Sequence, residues 1–383
     1  MKKILAMLLA LVMVLGLAAC GAPAAEAPAA SEAAYKVAMI TDYGDITDQS
    51  FNQTTYEACK AYAEANNVEF TYYKPAGDSD AERVAMIEKA VDEGYNVIVL
   101  PGFAFAAAIA TAAPQYPDVK FIALDVSEFD LTSAGLTAET MTNVYSAVYQ
   151  EELCGYMAGY AAVKLGYTKL GFLGGMAVPA VQRYGYGYVQ GADAAAKELN
   201  ITVDMNYVYG GLFYGTADIT AVMDTWYQGG TEVVFACGGG IYTSAVDAAK
   251  KVEGTKVIGV DTDQAGKIAT YAGDADTSLT ITSAMKGLYP TTVDTLTDVI
   301  NNGNWAKYAG KVATLGLVSG DDPTANYVQI PMESTQWSDT FTQDDYKAMV
   351  KAMFDGTIVV SGDVSAEPAV TNVNVDYQGQ IVG

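Results

Sequence analysis

The chain has 383 residues, is 51% hydrophobic and carries a formal net charge of −24, with no histidine at any position. The length gives room for two domains with substantial cores, and the acidic balance argues against binding nucleic acid by neutralising its phosphates. Without histidine, Ser-His-Asp and Cys-His catalysis and histidine-ligated zinc are excluded. Carboxylate pairs, Ser–Lys pairs and tyrosine chemistry stay open, so an enzyme is disfavoured but not excluded.

The N-terminus has the features of a bacterial export signal. Met1–Lys3 is a short positive stretch, and Ile4–Ala19 is an apolar run too short for a comfortable membrane span. The run ends in LAAC, with the cysteine at Cys20, and this tetrapeptide resembles the bacterial lipobox. We therefore predict a lipoprotein signal peptide over residues 1–19, lipidation of Cys20, and a flexible tether over 20–35 that holds the protein at the outer face of the cytoplasmic membrane. The alternative is an ordinary signal peptide with an incidental cysteine.

From Tyr35 onward, strands and helices alternate. The apolar runs predict strands in two blocks, at 37–40, 68–73, 96–100 and 119–125, and then at 169–173, 201–209, 232–236 and 256–260. Continuous apolar runs are typical of strands covered on both faces, and the βα alternation predicts an α/β protein with doubly wound parallel sheets. The first helix starts at Ser50, which has capping-box spacing to Gln53.

After residue 261 the pattern loosens. It predicts a strand at 277–282, a helix at 285–301, two short strands within 313–330, a helix at 342–355, and little structure from 361. This part is too small for a domain of its own, so we expect it to add elements back to both lobes. The predicted lobes are 36–142 plus 264–317, and 143–263 plus 318–383.

Ligands of open α/β sheets sit beyond the carboxyl ends of the strands. At these positions the chain places aromatic rings, carboxylates and glycines but few cations: Asp42, Phe51, Asn52, Phe103, Asp125, Tyr184, Phe213, Gly238 and Asp261. Aromatic rings stack on flat rings and carboxylates accept from hydroxyls, which favours a neutral ligand with a flat ring and hydroxyls.

Each of these positions also has a structural interpretation. Phe51 could be a core residue, Asp42 could cap the turn that follows it, and Asp125 and Gly238 could serve turns. The apolar surroundings of the cysteines after Cys20 indicate buried free thiols, and their spacing does not indicate a metal site. We expect no cofactor.

Several motifs follow one another in a fixed order. They are DYGDITDQSFNQ from Asp42, GFAF from Gly102, FLGGM from Phe172, VIGVDTDQ from Val257 and TSAMK from Thr282. Together they resemble the basic membrane protein family, the purine-nucleoside receptor lipoproteins, over roughly residues 36–360.

The resemblance implies a type I periplasmic-binding-protein fold, with two parallel-sheet lobes joined by a multi-strand hinge. It implies a receptor that is not an enzyme and that delivers a purine nucleoside to the permease subunits of an ABC importer. Phe51 would stack on the purine, and Asp42 and Asn52 would be polar cleft residues. Asp261 would accept the ribose hydroxyls, with Lys286 as its cationic neighbour.

The second-lobe motifs depart from the family pattern, for example at Tyr184 and Leu212, so the ligand stays open. A sugar receptor of the same fold is one alternative. An exported nucleoside hydrolase is another, because Asp42, Asp45 and Asp48 could support acid chemistry or hold a metal. A third is an adhesion or sensor lipoprotein whose partner is not a transporter.

Overall fold

The computed structural model describes residues 34–273 and 277–383, so the predicted signal peptide and Cys20 lie outside the described residues. The first part of the chain alternates strands and helices, in the order β1 (Lys36–Ile40), α1 (Phe51–Asn66), β2 (Glu69–Tyr73), α2 (Asp80–Asp92), β3 (Val97–Pro101), α3 (Ala106–Ala112), β4 (Lys120–Leu124), α4 (Glu128–Ser133) and β5 (Val144–Tyr149).

The alternation continues in the second part, with α5 (Glu151–Lys164), β6 (Lys169–Gly174), α6 (Pro179–Leu199), β7 (Val203–Tyr209), α7 (Ala217–Gln228), β8 (Val233–Cys237), α8 (Tyr242–Ala249), β9 (Lys256–Asp261), α9 (Ala265–Ala272) and β10 (Thr280–Lys286). The third part is less regular and contains α10 (Leu288–Leu296), α11 (Trp305–Tyr308), β11 (Lys311–Leu315), β12 (Val328–Gln329), α12 (Gln343–Phe354) and β13 (Val373–Gln380). Within the described ranges, no helix combines the length and apolar character that a membrane crossing requires.

The strands form two sheets, one per lobe. The first sheet has six parallel strands in the order β11-β5-β4-β3-β1-β2. The second has seven strands in the order β12-β10-β9-β8-β6-β7-β13, all parallel except β12, which runs antiparallel to β10. The predicted α/β fold with two parallel-sheet lobes is therefore confirmed.

The sheets are covered on both faces. Every residue of β3 is buried, and alternate side chains enter different cores: Val97 and Val99 share a core with α1, whereas Ile98 and Leu100 pack with α2 and α3. This arrangement explains the continuous apolar runs, because a strand in a doubly wound sheet has no solvent-facing side.

The chain crosses between the lobes three times, after β5, after β10, and between β11 and β12. The predicted lobe boundaries differ from this path in two places. Strand β5 was not predicted and belongs to the first sheet, and β10 belongs to the second sheet rather than to the first lobe. Because α5 starts almost directly after β5, the sequence lacks the turn residues that usually separate a strand from a helix.

The C-terminal tail also differs from the prediction of little structure. Strand β13 pairs in parallel with β7 at the edge of the second sheet. Its sequence, VNVDYQGQ, is mostly polar and mostly solvent-accessible, so it lacks the apolar run that identified the central strands.

Candidate functional site

A cleft lies between the carboxyl ends of the strands of the two sheets. Its cavity volume is ≈ 360 Å³, within the range of small-molecule sites. The structure brings all ten predicted ligand-binding residues into its lining: Asp42, Phe51, Asn52, Phe103, Asp125, Tyr184, Phe213, Gly238, Asp261 and Lys286.

Asp42 follows β1 and organises the turn after it. Its Oδ1 accepts hydrogen bonds from the backbone N–H groups of Tyr43 (2.6 Å) and Gly44 (2.7 Å), and from Asn52 Nδ2 (3.3 Å). Burial raises the pKa of Asp42 above its ordinary value, although these donors act against the shift. Asp42 therefore serves the turn and lines the cleft at the same time.

The start of α1 differs from the predicted capping box. Ser50 makes no side-chain cap; instead, Asp48 accepts from the N–H groups of Ser50 (2.9 Å), Asn52 (2.9 Å) and Gln53 (3.1 Å). The Ser50 hydroxyl donates to Asp261 Oδ2 of the second lobe over 2.6 Å. The Asp48 carboxylate accepts from the N–H groups that lack helical partners at the start of α1. The Ser50 hydroxyl is therefore available for a contact between the lobes.

The three aspartates considered for acid chemistry or a metal have separate partners. Asp42 and Asp48 accept the backbone bonds described above, and Asp45 pairs with Lys74 over 2.7 Å. Across residues 34–273 and 277–383, no group of three or more His, Cys, Asp or Glu side chains is arranged so that it could hold a metal ion.

Four residues form what we call the charged cluster: Asp125, Glu151, Asp261 and Lys286. The ammonium of Lys286 contacts the Asp125 carboxylate and lies 3.5 Å from Glu151 Oε1 and 3.6 Å from Asp261 Oδ1. The residues follow β4, begin α5, end β9 and end β10, so the cluster joins both lobes next to two of the crossings. All four are buried or nearly so.

Burial and charge compete within the cluster. Burial, opposed by the nearby ammonium, raises the pKa of Asp125 to about 6. Burial disfavours the charged form of Lys286, but the three carboxylates outweigh it and raise the pKa of Lys286 above its ordinary value. The lysine is therefore held as a cation, and its charge is already matched by protein carboxylates.

Asp125 and Asp261 share an unusual backbone conformation. Their φ angles are 61° and 64°, in the left-handed region that side-chain-bearing residues rarely adopt. Strain of this kind concentrates at functional sites, where the surrounding structure enforces it. Asp125 Oδ1 is also buried and without a hydrogen-bond partner in the described part of the chain, which leaves an acceptor for a ligand donor.

Two residues of α6 support the cluster. Arg183 Nε donates to Glu151 Oε2 over 2.7 Å, and the Tyr184 hydroxyl donates to Asp261 Oδ1 over 3.3 Å. The sequence did not identify Glu151 or Ser50 as site residues. Glu151 directly follows β5, and it could not be recognised as a residue at a strand end because β5 was not predicted.

Glycines let α5 and α6 pack backbone to backbone. A Cβ on Gly155 would lie 2.2 Å from the carbonyl oxygen of Tyr184, and one on Gly187 would lie 2.1 Å from that of Glu152. No other residue type fits at these positions without displacing a helix. This contact holds the acidic start of α5 beside Arg183.

Aromatic rings and glycines form the apolar part of the cleft. Lys286 Nζ lies 4.7 Å from the ring centroid of Phe51. In the second lobe, Phe213 packs on Gly238, whose φ is 147° and where a Cβ would lie 2.8 Å from Phe213 Cδ1. The Phe213 ring also reaches Tyr43 of the first lobe, with centroids 6.3 Å apart.

The lobes are bridged at the edge of the cleft. The backbone carbonyl of Gln49 in the first lobe accepts from Gln264 Nε2 and Lys267 Nζ in the second, each over 3.1 Å. With the Ser50–Asp261 bond, these contacts hold the two walls of the cleft together.

Comparisons with known proteins agree with this architecture. The sequence matches the Bmp family, described as "ABC transporter substrate-binding protein PnrA-like", over residues 35–356. It is 28% identical over 299 residues to the "ABC transporter nucleoside-binding protein BmpA" of Lactococcus lactis, covering 74% of this chain and 80% of that protein. An uncharacterized lipoprotein of Pyrococcus furiosus is 26% identical, with 82% of this chain and 77% of that protein covered.

A similar fold occurs among solved structures. An ABC transporter solute-binding protein from Aeropyrum pernix superposes with a TM-score of 0.64 at 22% identity, covering 85% of this chain and 87% of that one. This likeness concerns the fold alone.

Proposed function

The chain belongs to the Bmp family of PnrA-like ABC transporter substrate-binding proteins, and from this premise we propose that it binds a purine nucleoside in the cleft and delivers it to an ABC importer. One observation carries the proposal. Aromatic rings of both lobes share a single cleft with a cluster of buried carboxylates that keeps an unpaired acceptor, Asp125 Oδ1. A ligand with a flat ring and hydroxyls could stack on the aromatic rings and donate hydrogen bonds to the carboxylates.

Two cations that line the cleft are already paired with carboxylates, and this pairing favours an uncharged ligand. Lys286 is matched by three carboxylates, and Arg183 is engaged by Glu151. A phosphate or carboxylate on the ligand would have to compete with these partners for positive charge. A nucleoside suits the cleft better than a nucleotide, because its hydroxyls donate to Asp125 and Asp261 without adding negative charge.

Closure of the lobes would couple ligand binding to delivery. Phe51 and Asp125 belong to the first lobe, and Phe213 and Asp261 to the second. A ligand that contacts both walls stabilises the closed state selectively, and three hinge crossings permit the movement. The transporter would then recognise the closed form.

We propose that the protein is a lipoprotein anchored through Cys20 at the outer face of the cytoplasmic membrane. The proposal rests on the LAAC motif after the apolar run and is supported by the lipoprotein name of the Pyrococcus relative. Stable anchoring takes at least two acyl chains, which a lipid-modified cysteine would carry.

We propose further that the protein acts as a receptor and not as a hydrolase. Asp42 Oδ1 accepts hydrogen bonds from the turn after β1, and both carboxylate oxygens of Asp48 accept from backbone N–H groups at the start of α1. Incubation with inosine followed by product analysis should return intact inosine; release of free base and ribose would overturn the proposal.

The decisive test is titration calorimetry of the protein lacking residues 1–20 against guanosine, adenosine, inosine, cytidine and ribose. We expect one-to-one binding of a purine nucleoside with no heat of turnover. Binding of ribose alone would assign the protein to the sugar receptors. Absence of binding to all five compounds would contradict a nucleoside ligand.

A further inference from the structure

The peptide group between Gln49 and Ser50 is held in one orientation. Gln49 has a φ of 59°, in the left-handed region that residues with a side chain rarely adopt. On one side of this planar group, the N–H of Ser50 donates to Asp48 Oδ1 over 2.9 Å. The carbonyl of a trans peptide points away from its N–H. The Gln49 carbonyl is therefore turned away from Asp48 and toward the second lobe, where its two donors lie.

Gln264 of the second lobe is fixed as the first donor. It is fully buried, its Oε1 accepts from the backbone N–H of Val260 over 2.9 Å, and its own N–H donates to Ser283 Oγ over 3.1 Å. Because the Val260 N–H can pair only with the amide oxygen, this bond assigns Nε2 as the group that faces Gln49. The side chain is anchored within its own lobe, so it meets the carbonyl without rearranging.

Lys267 in α9 is the second donor. Its Nζ bonds to the Gln49 carbonyl over 3.1 Å, and within the described ranges the ammonium makes no other hydrogen bond and no salt bridge. Burial lowers the pKa of Lys267, although nearby carboxylates act against the shift. A partly buried ammonium with a single carbonyl partner depends on that partner for the hydration it has lost.

We call Gln49, Gln264 and Lys267 the latch. None of the three is among the described residues that line the cavity, whereas all ten predicted ligand-binding residues are. The latch bonds therefore stabilise the closed arrangement of the lobes whichever ligand the cavity holds. Both bonds end on one carbonyl, so a movement that separates the lobes breaks them together.

We propose that the latch sets how long the lobes stay closed, and so sets the rate at which a bound ligand leaves. The inference rests on the proposed receptor function and names positioning residues that act without touching the ligand. The free energy of closure has one part from ligand contacts and one part from the latch, and only the first distinguishes one ligand from another. Loss of the latch should therefore weaken binding of every ligand by the same factor.

Lys267→Met tests this directly, because it keeps an apolar stem and removes the donor. In stopped-flow measurements on the protein lacking residues 1–20, nucleoside dissociation should accelerate about tenfold, the loss expected for one hydrogen bond to a charged group. The association rate should change by less than about threefold. Calorimetry should show the same loss of affinity for each nucleoside that the wild type binds.

Two matched variants separate the donor from other effects. Lys267→Arg retains a cationic donor and should dissociate within about threefold of the wild type. Lys250→Met makes the same chemical change at an exposed lysine of the second lobe and should leave dissociation unchanged. A wild-type rate in Lys267→Met, a loss confined to one nucleoside, or no rescue in Lys267→Arg would each overturn the inference.

A second arm needs no ligand. The three cysteines of the described residues are buried, so dyes can be attached selectively to Asp118→Cys in the first lobe and Lys197→Cys in the second. Both positions are exposed and lie at the ends of the sheets away from the cleft, where the distance between them changes as the lobes open. Single-molecule energy transfer should show a smaller closed fraction in Lys267→Met than in the wild type.

The two proposals fail in different ways. If nucleosides bind but leave Lys267→Met at the wild-type rate, the receptor stands and the latch is wrong. If the wild type binds no nucleoside, the proposed function is wrong and energy transfer alone decides the latch. Equal closed fractions in Lys267→Met and the wild type would then overturn it.

Discussion

The Asp42–Asn52 segment and the charged cluster both bring polar groups to the cleft, but they are assembled in opposite ways. The segment spans eleven consecutive positions, and its carboxylates Asp42 and Asp48 accept from backbone and amide groups within ten residues in the chain. The cluster joins groups 25 to 161 residues apart, and each of its charges depends on the others.

The difference shows how two kinds of polar site respond to change. In the segment, the lost contacts are hydrogen bonds to short-range partners, so a substitution should have moderate and local effects. In the cluster, removing one charge leaves others buried without compensation, so the effect should reach the whole fold. The following predictions test this contrast, beginning with the largest effect.

Lys286→Met should destabilise the protein by about 3–5 kcal/mol, because breaking a buried ion pair leaves an uncompensated charge. Urea unfolding of the wild type and variant would measure the loss. Lys307→Met is the matched control: its side chain is 64% exposed and pairs with Asp298, and surface pairs contribute at most about 1 kcal/mol. Equal losses in the two variants would contradict the special role of the cluster.

Asp125 should make stability depend on pH. An acid whose pKa is raised on folding keeps its proton longer in the native state, so its stabilising contribution is full near pH 4 and is lost as pH rises through about 6. The stability of Asp125→Asn relative to wild type should therefore rise between pH 4 and 7, by up to about 3 kcal/mol. Chemical unfolding across this range would measure the trend.

Asp298→Asn provides a control of opposite sign. Hydrogen bonds from Lys307 and the neighbouring amides lower the pKa of Asp298, so its contribution is present at neutral pH and is lost on acidification. Relative to wild type, this variant should lose stability as pH rises. If the stability difference between Asp125→Asn and the wild type did not change with pH, burial would not raise the pKa of Asp125.

Phe51→Ala should weaken nucleoside binding by about tenfold or more, since stacking of a base on an aromatic ring contributes about 1–3 kcal/mol. Phe129→Ala removes an equally large ring that is 77% exposed on α4 and should leave affinity unchanged. Calorimetry of both variants gives the comparison. Wild-type affinity in Phe51→Ala would assign Phe51 to packing alone.

Asp48→Ala should cost about 0.5–2 kcal/mol of stability, the usual range for loss of a helix N-cap group. Ser50→Ala should cost less, because Ser50 caps nothing; its effect should appear in ligand affinity through the lost bond to Asp261. Thermal unfolding paired with calorimetry separates the two. A larger loss of stability in Ser50→Ala than in Asp48→Ala would support the capping box that the sequence predicted.

Much of the cleft could be predicted because its members sit at strand ends. The apolar runs located the central strands, and in a parallel sheet the residues after those strands share one edge. Asp42, Phe103 and Asp261 follow from this rule alone. Glu151 and Ser50 could not be found in the same way, because one follows an unrecognised strand and the other has a pattern typical of a cap.

What the sequence determined by itself is the repeating unit: apolar strand, helix, and a strand end rich in aromatic and acidic side chains. These features depend on contacts within one βα unit, so periodicity and residue type suffice to predict them. The tertiary structure alone decided the order of the strands within each sheet, the placement of β10 in the second sheet, and the pairing of the tail strand β13 with β7. It alone also decided the meeting of Lys286 with three carboxylates. Those depend on which surfaces are buried together across the whole chain, and the compensation of a buried charge by distant partners leaves no trace in the local pattern of residues.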